Sequence, residues 1–102
     1  MQIKLSSIAF IHLQEIIDSH LKYCGKQSAM KLSHQIDDKL HTLTRFPESG
    51  APEELLAGRV TLYRAKLINK RYKMIYHISG DVILVDAFWD MRMHPNSLLQ
   101  RI

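Results

Sequence analysis

The middle of this chain carries a dense run of basic residues with no acidic residue among them. In the stretch VTLYRAKLINKRYKMIY, residues 60–76, the cations are Arg64, Lys66, Lys70, Arg71 and Lys73. Clustered cations can hold a polyanion or an acidic peptide, and they can stabilise the charge that develops during attack on a phosphate. Like charges placed opposite each other destabilise a sheet, so the stretch predicts a partner that supplies negative charge. The alternative is a solvated face whose lysines discourage aggregation.

A second group of candidate residues follows the last apolar segment, in the tail WDMRMHP at residues 89–95. Arg92 could join the cations of the hairpin, or it could pair with Asp90 or Asp86. His94 could move a proton as a general acid or base, because imidazole titrates near neutral pH. The alternative for His94 is an exposed side chain with no role in chemistry.

Hydrophobic spacing predicts the elements that must position these residues. The short alternating segment MQIKL indicates a first strand. Apolar residues then recur three and four positions apart in two stretches separated by Gly25, which predicts two helices with one apolar face each. The first stripe is Phe10, Leu13, Ile16, Ile17 and Leu21, and the second is Ala29, Leu32, Ile36, Leu40 and Leu43. The segment FPESGAP ends the pattern, so residues 7–45 are expected to form an antiparallel helical hairpin.

Three further strands are expected at roughly residues 59–68, 71–79 and 82–89, joined by turns. The predicted class is α+β: an N-terminal strand, an antiparallel helical hairpin, then a three-stranded antiparallel meander, with the helices packed on one face of the sheet. A two-residue turn at Asn69 and Lys70 would place Lys66 opposite Lys73. In that register, Arg64, Lys66 and Lys73 converge on the face away from the helices.

Composition limits the classes of protein that this chain can belong to. Its 102 residues, of which 46% are hydrophobic, fit a single domain spanning 1–102, and the net charge is +4. The single cysteine, Cys24, excludes an internal disulfide and a cysteine-based zinc site. We see no signal peptide and no membrane span, and therefore expect a cytoplasmic protein without a membrane partner. No Gly-rich phosphate loop or His-Glu-x-x-His motif is present, so no cofactor and no metal ligand are expected.

The ordered set of features resembles the RelE/ParE superfamily of type II toxins, which includes plasmid stabilisation proteins. The resemblance rests on the proline after the second helix in FPESG, on YR at the start of one strand, on the strand RYKMIYHI and on the tail WDMRMHP. It covers nearly the whole chain. The tail is similar to the Asp-x-Arg-x-x-Pro ending of some ParE-like members.

The resemblance implies a toxin whose partner is a cognate antitoxin protein. RelE-like members cleave ribosome-bound mRNA without a metal, and we expect this endoribonuclease activity here. The implied catalytic residues are Arg64, Lys66, Lys73 and Arg92, with His94 handling protons in place of a tail tyrosine. Poisoning of DNA gyrase, as in ParE-like members, is the alternative, and a non-toxic module that binds an acidic peptide is a third possibility. The antitoxin is expected to place acidic residues on the cationic face, or a helix near the first helix.

Overall fold

The computed structural model describes residues 1–93, 96–97 and 102, in which two helices cover one face of a five-stranded sheet. The elements are β1 (Gln2–Leu5), α1 (Ser7–Cys24), α2 (Lys26–Arg45), β2 (Ala51–Pro52), a 3₁₀ turn (Glu54–Leu56), β3 (Arg64–Leu67), β4 (Tyr72–Ser79) and β5 (Val82–Asp90). The strand order is β1-β5-β4-β3-β2. The α+β class and the helical hairpin are confirmed. The sheet, however, is mixed: β1 runs parallel to β5, and the short β2 extends the predicted meander.

The two helices are closely joined. The side chain of Ser6 accepts a hydrogen bond of 3.0 Å from the backbone N–H of Ala9, which caps the start of α1. Gly25 alone connects α1 to α2, and its φ of +89° lies in a region that other residues avoid. Neither helix described is long and apolar enough to cross a membrane.

The buried face of α1 differs from the predicted stripe. Ala9 is fully buried, and Leu13 and Ile17 pack against the core from its edge. Phe10 and Leu21 remain 52% exposed each. The reason is that α1 contacts both the sheet and α2, so its most buried positions lie between these two partners. Spacing within one helix cannot reveal which of two neighbours a side chain will meet.

The turn between β3 and β4 differs from the prediction by one residue. The side-chain oxygen of Asn69 accepts hydrogen bonds from the backbone N–H groups of Arg71, at 2.8 Å, and Tyr72, at 3.0 Å. The backbone N–H of Ile68 donates to the carbonyl of Tyr72 at 2.9 Å, which closes a three-residue loop. An asparagine that caps its own turn in this way stabilises the longer loop.

This register contradicts the predicted convergence of three cations. Lys66 pairs with Met74, and Lys73 pairs with Leu67. Directly paired residues share a face of the sheet, so Arg64 and Lys66 lie on the helix side and Lys73 lies on the opposite side. A slip of one residue reverses the face of every side chain in a strand, and the expected two-residue turn was wrong by that step.

A β-bulge changes the faces of β5. Ile75 pairs with Ala87 and Tyr76 pairs with Val85, which leaves Asp86 as the extra residue. Val85 faces the helices before the bulge, and Phe88 takes over that face after it. Strict alternation along β5 would place Ala87 under the helices and Phe88 on the opposite face, and the bulge exchanges these positions.

The face of the sheet away from the helices has a smaller core of its own. Leu56, Ile75, Ala87 and Trp89 form this cluster, and Ile102 packs against it. The 3₁₀ turn supplies Leu56, so the segment between β2 and β3 covers part of this face. The second face is therefore partly covered by protein and is not an open, solvated surface.

We predict that Asn69→Ala lowers the free energy of unfolding by about 1–2 kcal/mol, because two backbone N–H groups lose their acceptor. Urea denaturation measures this change. Asn69→Asp keeps the acceptor oxygen and should retain most of the stability.

Gln35→Ala serves as the matched control, because it removes only the side-chain contact between Gln35 and Asn69, at 3.3 Å. An Asn69→Ala variant as stable as the Gln35→Ala variant would contradict the assigned role of the turn.

Candidate functional site

Arg64 and Lys66 hold the loop that follows α2, residues 46–50. The guanidinium of Arg64 donates to the carbonyl of Gly50 at 2.9 Å and, at 3.5 Å, to that of Glu48. The ammonium of Lys66 donates to the hydroxyl of Ser49 at 3.1 Å. Both side chains are half-buried. These two predicted catalytic cations are therefore close together, and each already has a partner within the chain.

The same loop closes over a buried tyrosine of β4. The hydroxyl of Tyr76 donates to the carbonyl of Pro47 at 2.7 Å and accepts from the N–H of Gly50 at 3.0 Å. A Cβ on Gly50 would lie 2.6 Å from that hydroxyl and 2.7 Å from the carbonyl of Ala65, so this approach requires glycine. Burial raises the pKa of Tyr76, which keeps the phenol protonated as a hydrogen-bond donor.

Lys73 lies on the other side of the sheet in a buried ion pair. Its ammonium is 2.8 Å from a carboxylate oxygen of Glu53, and the two side chains are only 13% and 6% exposed. The carboxylate of Glu53 neutralises the positive charge of Lys73, which was expected to stabilise a phosphate. Lys73 therefore does not form a common site with Arg64 and Lys66.

Arg92 pairs with Asp90, as one of the two sequence-based alternatives proposed. Its guanidinium donates to both carboxylate oxygens, at 3.2 and 3.1 Å, and Arg71 donates to the same carboxylate at 3.3 Å. Burial by itself would raise the pKa of Asp90, but the hydrogen bonds and positive charges of Arg92 and Arg71 outweigh burial and lower it. The carboxylate is therefore ionised and shared by two guanidinium groups.

Two of the cation positions are separated along β4. Asp90, the partner of Arg92, lies opposite Tyr72, whereas Arg64 lies opposite Tyr76. Four residues of strand correspond to about 13 Å. The candidate cations thus occupy three places: the 46–50 loop, the second face of the sheet and the end of β5. His94 lies outside the described residues.

A histidine that sequence reasoning did not select joins three elements. The ring of His20 in α1 lies 3.2 Å from the hydroxyl of Ser28 in α2 and 3.0 Å from the hydroxyl of Tyr72 in β4. Burial, followed by the charges of Arg71 and Arg92, lowers the pKa of His20. No local motif marks this residue, because its partners come from separate parts of the chain.

A shallow pocket of about 210 Å³ lies beside this histidine, between α1 and the end of β5. Its polar lining includes Glu15, Ser19, Arg71 and Asp90. The lining carries both signs of charge, because Glu15 and Asp90 are acidic and Arg71 is basic. The carboxylate of Asp90 already binds two guanidinium groups. Within the described part of the chain, no group of three or more His, Cys, Asp and Glu side chains is arranged to hold a metal ion.

Solved structures share this architecture. One is from the chromosomal ParDE TA system of P. aeruginosa, with a TM-score of 0.72 at 18% identity over 88% of this chain and 95% of that chain. Another, the YoeB dimer from Staphylococcus aureus, has a TM-score of 0.58 at 21% identity over 85% of this chain and 92% of that chain. No protein-family model and no curated protein matches the sequence. The chain therefore has the fold of these two structures, in agreement with its resemblance to the RelE/ParE superfamily.

We predict that Lys73→Met lowers the free energy of unfolding by about 3 kcal/mol, because it leaves the Glu53 carboxylate buried without a counter-charge. Adding Glu53→Leu should restore most of that loss, because the pair is then replaced by apolar side chains. Chemical denaturation of the single and double variants measures both effects.

Glu54→Gln is the control for this pair, because Glu54 is the exposed neighbour of Glu53 and should change stability by less than about 0.5 kcal/mol. A double variant no more stable than Lys73→Met alone would contradict the assigned pairing.

We predict that the wild-type protein loses stability relative to His20→Gln as the pH falls from about 7 to about 5. The pKa of His20 in the folded state lies below its ordinary value of 6.5, so the unfolded chain takes up the proton first. The stabilisation present above pH 6.5 is then lost progressively below it. Denaturation at several pH values measures the difference.

His41→Gln provides the control, because the His41 side chain is 74% exposed on α2. At pH 7, His41→Gln should change the free energy of unfolding by less than about 0.5 kcal/mol. A constant difference between wild type and His20→Gln over this pH range would exclude the assigned titration.

Proposed function

We propose that this chain is the toxin component of a type II toxin–antitoxin system and that it binds a cognate antitoxin protein. The proposal is supported by a fold shared with a structure from a ParDE TA system over 88% of this chain and 95% of that one. It is also supported by the sequence resemblance to the RelE/ParE superfamily, which includes the strands and the basic tail.

Of the two modes of action that this resemblance implies, we propose the poisoning of a protein target, DNA gyrase, over the cleavage of mRNA. The observation that carries this choice is the separation of the predicted catalytic cations. Stabilising the transition state of phosphate cleavage requires donors about 3 Å from the developing charge. Lys73 is paired with Glu53 on one face, whereas Arg64 and Lys66 lie on the other.

The contacts of the cations also favour binding over catalysis. Arg92 shares Asp90 with Arg71, and Arg64 donates to loop carbonyls. These groups already have partners of opposite charge or dipole, so a phosphate would have to compete with them. A protein that acts by docking on its target needs none of these cations to meet at one atom.

We predict that inducing this chain alone in a bacterium arrests growth, leaves transcript 5′ ends unchanged and induces a DNA-damage response. The purified protein should inhibit supercoiling by gyrase. Arg92→Gln should remain toxic, because binding of a protein target does not require this group at a reacting phosphate. Arg92 is exposed, so the change should not impair folding.

Lys31→Gln is a charge-matched control at an exposed position on α2. New 5′ ends inside translated codons that disappear when translation is blocked, and that are lost in Arg92→Gln but kept in Lys31→Gln, would establish the ribonuclease instead. Harmless induction at full protein abundance would remove the toxin proposal altogether.

A further inference from the structure

Two adjoining cavities form a trough at the end of the sheet, where β4 ends and the loop after α2 begins. One, of about 630 Å³, is lined by Phe46 among others, and the second, of about 500 Å³, by Leu62 and Arg64. Both include Glu48 and Ile78. The two cavities therefore adjoin each other at Glu48 and Ile78, and together they are called the trough.

Exposed apolar side chains stand at both ends of this trough. Phe46 is 59% exposed at one end, and at the other Leu62 is 57% exposed and Val60 is fully exposed. The guanidinium of Arg45 lies over the ring of Phe46, 5.7 Å from its centre. An aromatic residue paired with an arginine is typical of the residues that dominate binding at protein interfaces.

The charges around the trough are mainly positive. The cations that line it or adjoin its lining are Arg45, Arg59, Arg64 and Lys66. The carboxylates there are Glu48, in the shared lining, Asp81, next to Gly80, and Asp86, which lies 2.7 Å from the ring of the lining residue His77. An occupant with negative charge complements this surface, and complementary charge also speeds association.

We infer that this trough docks an acidic, amphipathic segment of a protein partner. Ile78 in the shared lining and the exposed apolar side chains at the ends fit aliphatic or aromatic anchors. Arg64 and Lys66 have neutral partners here, a carbonyl and a hydroxyl group, so the positive charge around the trough fits the carboxylates between the anchors. A second copy of this chain fits less well, because each copy has a net charge of +4. The inference rests on the proposed function, because it identifies the kind of segment that a toxin would bind.

A second groove on the molecule has a different character. It lies between α1 and α2 and is lined by Leu13, Ile17 and Leu40 together with Asp37. The carboxylate of Asp37 would oppose an acidic segment. The charge of the trough therefore favours it over the helical groove as the site for acidic residues.

The test is an NMR titration of the full chain with a short synthetic peptide of alternating glutamate and leucine. A lysine–leucine peptide of the same length is the control ligand. Amide shifts caused by the glutamate peptide should concentrate at residues 45–49, 60–64 and 78–80, and the lysine peptide should cause none. Saturation is expected below about 1 mM.

Matched variants locate the site independently of the spectra. Phe46→Ala and Leu62→Ser should each weaken binding of the glutamate peptide at least tenfold. The controls are Phe10→Ala, at a side chain 52% exposed on α1, and Leu67→Ser, at one 57% exposed, as Leu62 is. All four side chains are solvent-exposed, and well-dispersed spectra will verify folding.

Three results would overturn the inference. The first is amide shifts that map to the α1–α2 groove, and the second is a loss of peptide affinity in Phe10→Ala as large as that in Phe46→Ala. The third is no difference between the two peptides, including the case in which neither binds. Growth arrest is measured separately. If the chain is toxic and the peptide binds at α1, the docking site in the trough is excluded and the proposed function stands. If the chain is harmless and the peptide binds in the trough, the proposed function is excluded and the docking site stands.

Discussion

The register of β4 against β3 fixes the positions of the charged and aromatic side chains of the sheet, and the carboxamide of Asn69 stabilises the turn that goes with this register. By accepting two backbone N–H groups, it makes the turn between β3 and β4 three residues long. That length places Tyr72 and Tyr76 on the helix side of β4 and Lys73 on the other side. The length of this turn and the burial of Met74 and Tyr76 agree on which residues of the charged hairpin can meet, because a shift of one residue would reverse both faces.

The two tyrosines that this register turns toward the helices fasten the rest of the molecule to β4. The hydroxyl of Tyr72 meets His20, which also reaches Ser28, so one imidazole joins both helices to the sheet. The hydroxyl of Tyr76 bonds to the backbone of the 46–50 loop. Buried hydroxyl groups need partners, and here those partners come from the segments that must be held in place.

The cations of the hairpin also serve the fold. Arg64 and Lys66 secure the loop over Tyr76, and Lys73 is buried against Glu53 beside the smaller core. Charge that looked uncompensated along the chain is therefore partly satisfied by carbonyls and by a distant carboxylate. The charges of Arg45 and Arg64 beside the trough are the basis for proposing an acidic protein segment as its ligand.

Apolar spacing, with glycine and proline within a few residues, was enough to predict the helices, the α+β class and the approximate strands of the meander. The sequence also offered Asp90, two positions away, as one of the possible partners of Arg92. Three features required the folded chain to be seen. Lys73 lies on the opposite face of the sheet from Arg64, Phe88 rather than Ala87 faces the helices after the bulge, and His20 contacts Tyr72. The register depends on the hydrogen bonds of the turn at Asn69 and on one extra residue in β5, and the partners of His20 and Lys73 lie far away in the chain. The residues next to a position in the sequence do not indicate which distant residue it will contact.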